Sequence, residues 1–379
     1  MKTVSIRFPT DIRFGAGMIR QLPEFLKSKS MTKPLIVTDK GLADLPVFKR
    51  VLSILAEHNI SNEVYCDASG NPVESHVTLG VQAYRKGSCD SLVVVGGGCA
   101  LDVGKAISLM IHHPGSLFDY EDDMVGARPV DQKLPPLIAI PTTAGTGSEV
   151  GGSSVISRED THAKVIVWSG RLIPDLVVAD PELTVDLPPA VTASTGIDAL
   201  THNIEAFLAK NYHPVCDGIA LEGIRLVFNS LENAVKEPGN IDARADMLMA
   251  SMMGAVAFQK GLGVTHSCAH ALSTCFDMHH GLANALTLVA AMKFNQKAVP
   301  ERFIRMGRII GLDGDGVGDQ FIDAIERLLK ALKLPEGLGA CGVQISDALL
   351  DTAFKDSCHA NNPVPCTRRD IESIYQNSM

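Results

Sequence analysis

The chain has 379 residues, a length that favours two or three domains, and it is 46% hydrophobic and 20% charged, as globular proteins are. Its formal net charge is −9 and no run of Lys or Arg exceeds two residues, which argues against nucleic acid or an anionic membrane as a partner. The absence of an 18-residue apolar run predicts no spanning helix, and residues 1–15 show no secretory signal.

The number and spacing of the cysteines indicate the cellular compartment of the protein. The nine cysteines are odd in number, are scattered along the chain and form no C-x-x-C pair. This pattern is typical of reduced thiols rather than of a disulfide framework. The sequence therefore predicts a cytoplasmic protein.

Short apolar runs alternate with helical patterns in the first half of the chain. This alternation predicts a parallel α/β sheet that is covered on both faces. The predicted strands are 34–39, 62–65, 91–95 and 137–140, and the predicted helices are 48–58, 77–86 and 102–110.

Beyond about residue 185, strand-like runs stop and helical patterns dominate. Two prolines, Pro188 and Pro189, break the chain before the first of these helices. We therefore predict two domains, an α/β domain over 1–185 and an all-α domain over 186–379. The predicted helices are 191–209, 214–232, 241–258, 266–276, 284–298, 303–311, 318–332 and 346–355.

Two glycine-rich loops directly follow apolar strands. One is Gly96-Gly97-Gly98, and the other, residues 141–149, contains two glycines and four hydroxylated side chains. Loops at the carboxyl ends of parallel strands bind ligands in open α/β sheets, and a helix N-terminus offers free N–H groups to a phosphate. A tight structural turn and a polar surface loop are the alternatives for the two segments.

Asp39 ends a predicted strand. An acid at that point can accept hydrogen bonds from a ribose hydroxyl and would repel a 2′-phosphate. The alternative is that Asp39 only caps the helix that follows it.

Cys99, at a helix start, is one candidate for an acidified thiol.

Histidines concentrate in residues 261–281, which hold four of the twelve. His266 and His270 are four residues apart, as are Asp198 and His202 upstream, so each pair shares a helical face. With His280, they can supply a four-coordinate nitrogen and oxygen site for a divalent metal. The alternative is a set of ordinary core or surface histidines. Asp277 is the only charged residue of the segment, which a solvated helix face would not predict.

Four motifs, GGGCALDVGK, PTTAGTGSEV, GIDALTH and GLGVTHSCAHALSTCFDMHHGLANA, together resemble the iron-containing (group III) alcohol dehydrogenase family. The resemblance covers nearly the whole chain. It implies a dehydroquinate-synthase-like fold, with an N-terminal dinucleotide-binding α/β domain, an all-α C-terminal domain and an active site in the cleft between them. One departure is Val364, where the family usually has Arg after Asn-Pro.

The resemblance also implies roles for individual residues. His270 matches a histidine that lines the substrate site without binding metal. The implied metal ligands are Asp198, His202, His266 and His280. The implied cofactor-binding residues are Asp39, Asn71, Gly97, Gly98, Thr142, Thr143, Ser148 and Lys164.

The expected function is that of an NAD-dependent, metal-dependent alcohol dehydrogenase. The metal would act as a Lewis acid on a small primary alcohol, diol or hydroxy-aldehyde. We expect Fe(II), although the ligand types do not exclude Zn(II). His270 is the candidate proton relay, with helix packing as its alternative role. A homo-oligomer, a dimer or larger, is expected.

A lyase of the dehydroquinate-synthase type is the alternative function. Such an enzyme would need several extra Lys or Arg for a phosphorylated, carboxylated substrate. Residues 190–300 contain few of them.

Overall fold

The computed structural model describes residues 4–5, 8, 10–122 and 124–379. Part of the N-terminal segment for which no secretory signal is predicted, residues 1–15, therefore lies outside the described residues. The chain divides into two compact units. One comprises Phe8–Thr143 and Gly147–Asp186, and the other comprises Leu187–Met379 with Ala144–Thr146 and residues 4–5.

The first unit is built on a parallel sheet. The strands are β1 (Ile12–Phe14), β2 (Pro34–Asp39), β3 (Glu63–Ala68), β4 (Ser91–Gly96), β5 (Leu137–Pro141), β6 (Ser153–Ser157), β7 (Lys164–Trp168) and β8 (Leu176–Ala179). Six of them pair in the order β1-β8-β5-β4-β2-β3, every pair being parallel, and β6 and β7 form a separate antiparallel hairpin.

Helices cover both faces of this sheet, which explains why the central strands β4 and β5 are buried at every position. All six residues of β4 are buried. On one face Val93 and Val95 belong to a core with the first two helices. On the other face Gly104 lies against Val94, so closely that a Cβ would be 2.4 Å from a Val94 methyl carbon. The helices are α1 (Leu22–Ser28), α2 (Pro46–Glu57), α3 (Glu74–Lys86) and α4 (Gly98–His112).

The strand order creates a switch point between β2 and β4. The chain leaves β2 towards β3 on one side, and leaves β4 towards β5 on the other. Adjacent parallel strands whose connections diverge in this way open a crevice at their carboxyl ends, where open α/β sheets bind ligands. Asp39 ends one of these strands and Gly96 ends the other.

The second unit is helical, and its described residues in 187–379 include no strand. The parallel sheet of the first unit and the helices of the second confirm the predicted fold class. The helices are α5 (Pro189–Leu208), α6 (Pro214–Lys236), α7 (Ile241–Ala257), α8 (Val264–Phe276), α9 (His280–Gln296), α10 (Pro300–Ile309), α11 (Val317–Ala331), α12 (Asp347–Lys355) and α13 (Arg368–Gln376).

Within the described part of the chain, no single helix has the length and apolar character needed to cross a membrane. One helix pair meets the criterion only when taken together, and it is bent by 107° at its break. That pair is Ile241–Lys260 with Val264–Phe276.

Several elements were not predicted from the sequence. β1 and β8 have only three and four residues, too few to show a period. β7 does alternate, with Val165 and Val167 buried and Ile166 and Trp168 exposed, but it pairs only with β6 and not with the main sheet. The predicted helix 284–298 begins four residues earlier, at His280, which places a candidate ligand in its first turn.

Candidate functional site

Three helices of the second unit supply the four candidate metal ligands. Asp198 and His202 lie one turn apart on α5, His266 lies near the start of α8, and His280 is the first residue of α9. One potential ligand atom from each residue lies within 4.8 Å of the others. The structure therefore brings together the two sequence clusters, for which the spacing alone left a shared metal site and ordinary histidines as alternatives.

The distances suit a small coordination sphere. Oδ1 of Asp198 lies 3.9 Å from Nδ1 of His202, 3.9 Å from Nε2 of His266 and 3.4 Å from Nε2 of His280. Tetrahedral ligands about 2.1 Å from a metal are separated by about 3.4 Å. The side chains thus need only small shifts to bind one ion.

Two imidazole nitrogens in this cluster have no hydrogen-bond partner in the described part of the chain. They are Nδ1 of His202 and Nε2 of His266, and both are buried. A buried polar atom without a partner is unfavourable by roughly 1–3 kcal/mol. A divalent cation would satisfy both nitrogens, so these residues fit a metal ion.

Glu205 holds His266 in the orientation that this fit requires. Its Oε2 accepts a hydrogen bond of 2.7 Å from Nδ1 of His266, and its oxygens also accept from the backbone N–H groups of Gly263 and Thr265 at 2.8 and 2.7 Å. Since Nδ1 carries the proton, Nε2 keeps its lone pair for a metal.

The pKa values of the cluster follow from burial and charge. Burial lowers the pKa of His202 to about 4, with Asp198 opposing the shift. Burial also opposes ionisation of Glu205, but the hydrogen bond and charge of His266 outweigh it and lower the pKa of Glu205. Burial disfavours the charged form of His266 too, yet the hydrogen bond and charge of Glu205 raise its pKa. Neutral His202 is the form that binds metals.

Asn284 and Gly281 position the ligand that α9 contributes. Nδ2 of Asn284 donates to Oδ1 of Asp198 at 2.7 Å and lies 3.2 Å from Nε2 of His280. At Gly281 a Cβ would lie 2.3 Å from the backbone oxygen of Ser194. The glycine therefore lets α9 approach the backbone of α5 closely enough for His280 to join the cluster.

His270 lies beside the cluster but outside the four ligands. Its ring stacks on that of His280, with centroids 5.2 Å apart and an angle of 19°. Its Nδ1 lies 2.8 Å from Oδ2 of Asp356. The side chains of His270 and His280 are each 25% exposed, whereas the other three ligands are buried, so the cluster is accessible from this side.

The first unit brings most of the predicted cofactor residues to one edge of the sheet. Asp39 ends β2, Gly97 and Gly98 begin α4 directly after β4, and Thr142 and Thr143 follow β5. The strands are neighbours in the order β5-β4-β2. These residues therefore line the carboxyl edge of adjacent strands, where the sequence predicts a dinucleotide site.

Close backbone approach explains the glycines of this edge. Gly96 has a φ of 157°, and a Cβ on it would lie 2.5 Å from that of Ala100. A Cβ on Gly97 would lie 2.9 Å from the side chain of Thr143. Because these glycines have no side chain, the backbone N–H groups at the N-terminus of α4 are not covered and can bind a phosphate.

Asp39 also has a structural contact, but it does not cap the helix that follows, because α2 begins at Pro46 with Leu45 as its N-cap. Its Oδ1 accepts a hydrogen bond of 3.0 Å from the backbone N–H of Leu42, which closes the turn after β2. Burial raises the pKa of Asp39, and the backbone N–H groups of Leu42 and Gly41 oppose the shift. The turn contact from Leu42 uses Oδ1 of the carboxylate.

The hydroxyl of Ser148 is held within a buried network. It donates to Oδ1 of Asp102 at 2.6 Å and accepts from Nζ of Lys105 at 2.5 Å. Lys105 also donates to the backbone oxygen of Ser153. This network joins α4 to the loop after β5, so Ser148 shapes the loop in addition to any contact with a cofactor.

Asn71 and Lys164 lie near each other at the far end of this edge. Lys164 pairs with Ser157 in the β6–β7 hairpin, and the backbone N–H of Ser157 donates to the oxygen of Pro72 at 2.7 Å. Asn71 immediately precedes Pro72, three residues after β3 ends. The hairpin, which was not predicted, is thus what brings Lys164 towards the sheet.

Cys99 does not have the environment of an activated thiol. Burial raises the pKa of Cys99 to about 12, and the nearby charges of Asp39 and Asp102 raise it further. The hypothesis of a thiol acidified by the helix N-terminus is therefore wrong.

Sequence reasoning missed three polar side chains that contact the candidate metal ligands or His270. They are Glu205, Asn284 and Asp356. The sequence spacing could have identified two of them. Glu205 follows Asp198 by seven residues and Asn284 follows His280 by four, so each shares a helical face with a candidate ligand. Asp356 lies 86 residues from its partner His270, and no spacing rule links them.

Comparisons with known proteins agree with this arrangement in both units. The profile described as "Iron-containing alcohol dehydrogenase" matches residues 9–181, and the profile "Fe-containing alcohol dehydrogenase family, C-terminal" matches residues 192–379. The 4-hydroxybutyrate dehydrogenase of Cupriavidus necator is 36% identical, and the alignment covers 99% of this chain and 99% of that protein.

Solved structures give the same result. The crystal structure of a 1,3-propanediol oxidoreductase has a TM-score of 0.95 at 33% identity, with 100% of both chains covered. A sulfoacetaldehyde reductase from Bifidobacterium kashiwanohense, in complex with NAD⁺, has a TM-score of 0.91 at 31% identity, covering 100% of this chain and 99% of that chain. Membership implies NAD and a metal as cofactors and favours redox chemistry over the lyase alternative. Because the two profiles match both units along nearly the whole chain, the protein belongs to the iron-containing alcohol dehydrogenase family and is an oxidoreductase.

Proposed function

We propose that the protein catalyses NAD-linked hydride transfer between nicotinamide and a small primary alcohol, diol or hydroxy-aldehyde. The observation that carries this proposal is the buried cluster of Asp198, His202, His266 and His280. Nδ1 of His202 and Nε2 of His266 have no other described partner, which supports a metal-dependent reaction.

The proposed ion is Fe(II), with Zn(II) as the alternative. Three imidazole nitrogens and one carboxylate oxygen suit either ion, and no thiolate belongs to the set. The family description favours iron. When bound, the ion supplies Lewis acidity to the oxygen of the alcohol or aldehyde.

Residues of the chain itself handle the proton. His270 is the proposed relay, because its side chain is partly exposed beside the most accessible ligand, His280. In alcohol oxidation the hydroxyl proton passes to His270 and then to water, while hydride moves to the nicotinamide. Aldehyde reduction uses the same path in reverse.

The proposed cofactor site is the carboxyl edge of the sheet in the first unit. Gly97 and Gly98 present backbone N–H groups to the pyrophosphate, and Asp39 accepts hydrogen bonds from the adenosine ribose. The carboxylate of Asp39 disfavours a 2′-phosphate, which supports NAD over NADP. The remaining proposed contacts are Asn71, Thr142, Thr143, Ser148 and Lys164.

Charge in the metal cluster supports an uncharged substrate. Asp198, Glu205 and Asp356 supply three carboxylates to the cluster and its immediate contacts. A single divalent ion does not neutralise them all, so a carboxylate on the substrate would be repelled. Although one relative is named for 4-hydroxybutyrate, we expect diols and simple primary alcohols to react faster here.

Three further features are proposed with this function. The α/β domain extends over 1–185 and the metal-binding and substrate-binding domain over 186–379, a boundary supported by the division of the units at Asp186 and Leu187. A cytoplasmic location is supported by nine unpaired cysteines, two of them exposed. The family resemblance suggests a homo-oligomer, which light scattering on the purified protein would measure.

Activity after metal reconstitution tests the proposal. The metal-free protein would be loaded anaerobically with Fe(II) or Zn(II), and NADH formation followed with 1,3-propanediol, ethanol, 1-butanol and 4-hydroxybutyrate. Rates should require metal and be highest for uncharged substrates. No NAD-linked rate with any alcohol or aldehyde would contradict the proposal. Turnover without net change in NADH would favour the lyase alternative.

A further inference from the structure

A second carboxylate–histidine pair lies one helical turn beyond the pair that holds the metal ligand. His270 follows His266 by four residues on α8, and its Nδ1 lies 2.8 Å from Oδ2 of Asp356. Asp356 directly follows α12, so two elements far apart in sequence meet at this contact. The dyad is only partly exposed, its two side chains being 25% and 19% accessible.

Asp356 is itself held in place from two sides. Its Oδ1 accepts a hydrogen bond of 2.7 Å from the hydroxyl of Ser267 and one of 2.9 Å from the backbone N–H of Cys358. Ser267 precedes His270 by three residues, so the Ser267 hydroxyl and the His270 ring lie on the same face of α8. The Ser267 hydroxyl in turn accepts from the backbone N–H of His359 at 2.9 Å. The carboxylate therefore has little freedom to move.

The electrostatics define the proton positions in the dyad. Burial raises the pKa of Asp356, but the charge and hydrogen bond of His270, with the hydrogen bonds from Ser267 and Cys358, hold it well below its usual range. An ionised carboxylate only accepts hydrogen bonds. Nδ1 of His270 must then carry a proton, and Nε2 is left as the ring nitrogen that can receive another.

The same cluster has the composition of a second metal site, because His270, Asp356 and Cys358 offer ligand atoms within 4.8 Å of one another. The contacts favour the dyad instead. Both oxygens of Asp356 already accept hydrogen bonds. Burial raises the pKa of the Cys358 thiol well above its ordinary value, which disfavours the thiolate that metals bind.

We propose that Asp356 is a positioning residue that fixes the ring orientation and the Nδ1-protonated tautomer of His270. The inference rests on the proposed function, because His270 is its proton relay. The alcohol proton moves to Nε2 of His270 as hydride moves to nicotinamide. The imidazolium then releases the Nε2 proton to water, and Asp356 remains ionised throughout, stabilising the positive ring.

Kinetics of a double-mutant cycle test the proposal. Asp356→Asn should lower kcat for alcohol oxidation at least about 10-fold, with metal content and the KM for NAD unchanged. In the His270→Ala background the same substitution should cause no further loss, because the two residues act as one unit. Asp347→Asn is the matched control, since this exposed carboxylate at the start of α12 pairs only with Arg368 in the described contacts, and it should behave as wild type. Independent losses at His270 and Asp356 would overturn the proposal.

A spectroscopic measurement separates this inference from the proposed activity. In the Zn(II)-loaded protein labelled with ¹⁵N-histidine, the His270 resonances should report the Nδ1-protonated tautomer, and Asp356→Asn should change them. If the wild-type protein oxidises no alcohol, the proposed function fails. The NMR measurement of the His270 tautomer still tests whether Asp356 positions His270. An unchanged His270 spectrum in Asp356→Asn would overturn the inference.

A second variant covers the case in which Asp356→Asn does not fold, as judged by thermal unfolding. Ser267→Ala removes one hydrogen bond to Asp356 and should lower kcat about 3-fold or more. The loss should again disappear in the His270→Ala background. A Ser267→Ala protein with wild-type kcat would contradict the proposed anchoring of the dyad.

Discussion

Glu205 accepts a 2.7 Å hydrogen bond from Nδ1 of His266, and both side chains are almost fully buried. The same carboxylate accepts from two backbone N–H groups at the start of α8. It therefore caps the helix and orients the ligand at once. A carboxylate behind a metal-binding histidine strengthens the ligand and fixes its tautomer.

We predict that Glu205→Gln weakens metal binding about 10–100-fold. The glutamine amide presents a donor where the backbone N–H groups of α8 need an acceptor, and it removes the charge behind His266. Zn(II) affinity would be measured by competition with a chelating dye. The control is Glu222→Gln, a partly exposed acid that pairs with Arg225 on α6. Equal affinities of the Glu205→Gln and wild-type proteins would show that this contact has no role in metal binding.

A second prediction concerns the ligands themselves. Asp198→Ala and His266→Ala should lose metal and activity together but keep NAD binding, because the proposed cofactor residues lie in the other unit. Loss of Lewis-acid polarisation, which contributes several kcal/mol, should reduce the rate by orders of magnitude. Elemental analysis and NAD titration would be compared with His112→Ala, an exposed histidine at the end of α4. Full metal occupancy in either variant would remove that residue from the ligand set.

Cofactor preference supplies a third prediction. Asp39→Gly should increase the rate with NADP relative to NAD, because it removes a carboxylate that would repel the 2′-phosphate. The turn contact from Asp39 to Leu42 is lost as well, so Asp39→Asn, which keeps an acceptor without the charge, is the matched variant. Both should shift the ratio in the same direction. A wild-type enzyme that already uses both cofactors equally would contradict the assignment.

Much of the fold was predictable because the sequence patterns that indicate strands, turns and helices each lie within a short segment. The buried run of β4 and the glycines after it predict a strand, a turn and a helix start without knowledge of the rest of the chain. The i,i+4 spacings of Asp198 with His202 and of His266 with His270 likewise placed each pair on one helical face. That α5, α8 and α9 meet was implied only by the family resemblance.

The contacts between distant residues were not predictable in this way. Asp356, at the end of α12, contacts His270, and Lys105 on α4 contacts Ser148. Neither contact can be predicted from the helix or strand periodicity of the sequence. The hairpin that carries Lys164 was missed although β7 alternates, because its five residues give a weak signal. Physical properties such as the buried thiol of Cys99 also depend on packing that only the structure supplies.

Glu149 leads to a prediction about stability and pH. The side chain is almost fully buried, and its Oε1 has no hydrogen-bond partner among the described residues. Burial raises the pKa of Glu149 from 4.5 to about 7, with Lys105 opposing the shift. Between pH 4.5 and about 7 the folded protein keeps a proton that the unfolded chain has lost, so stability falls as the pH rises through this window.

Glu149→Gln should therefore become more stable than wild type as the pH increases, by an amount on the order of 3 kcal/mol above pH 7. The midpoint temperature of thermal unfolding would be compared at several values from pH 5.5 to 8.5, without added cofactor. Glu222→Gln serves again as the control with no pH-dependent difference. A difference between the Glu149→Gln and wild-type proteins that stays constant over this range would mean that Glu149 is ionised throughout.

The last prediction distinguishes the two candidate metals by their response to oxygen. Fe(II) can be oxidised by oxygen and Zn(II) cannot, and neither ion gains a thiolate from this ligand set. The cluster is accessible beside His280, where the ring of His270 stacks at 5.2 Å, so oxygen can reach the ion and oxidants formed there would meet His270 first. We expect the Fe(II) form to lose activity in air but to keep it anaerobically, and the Zn(II) form to be stable in both. Activity would be followed over time for both forms, with peptide mass spectrometry to locate oxidised side chains. Equal decay of the two forms in air would place the lability elsewhere, for example in one of the exposed thiols, Cys275 or Cys341.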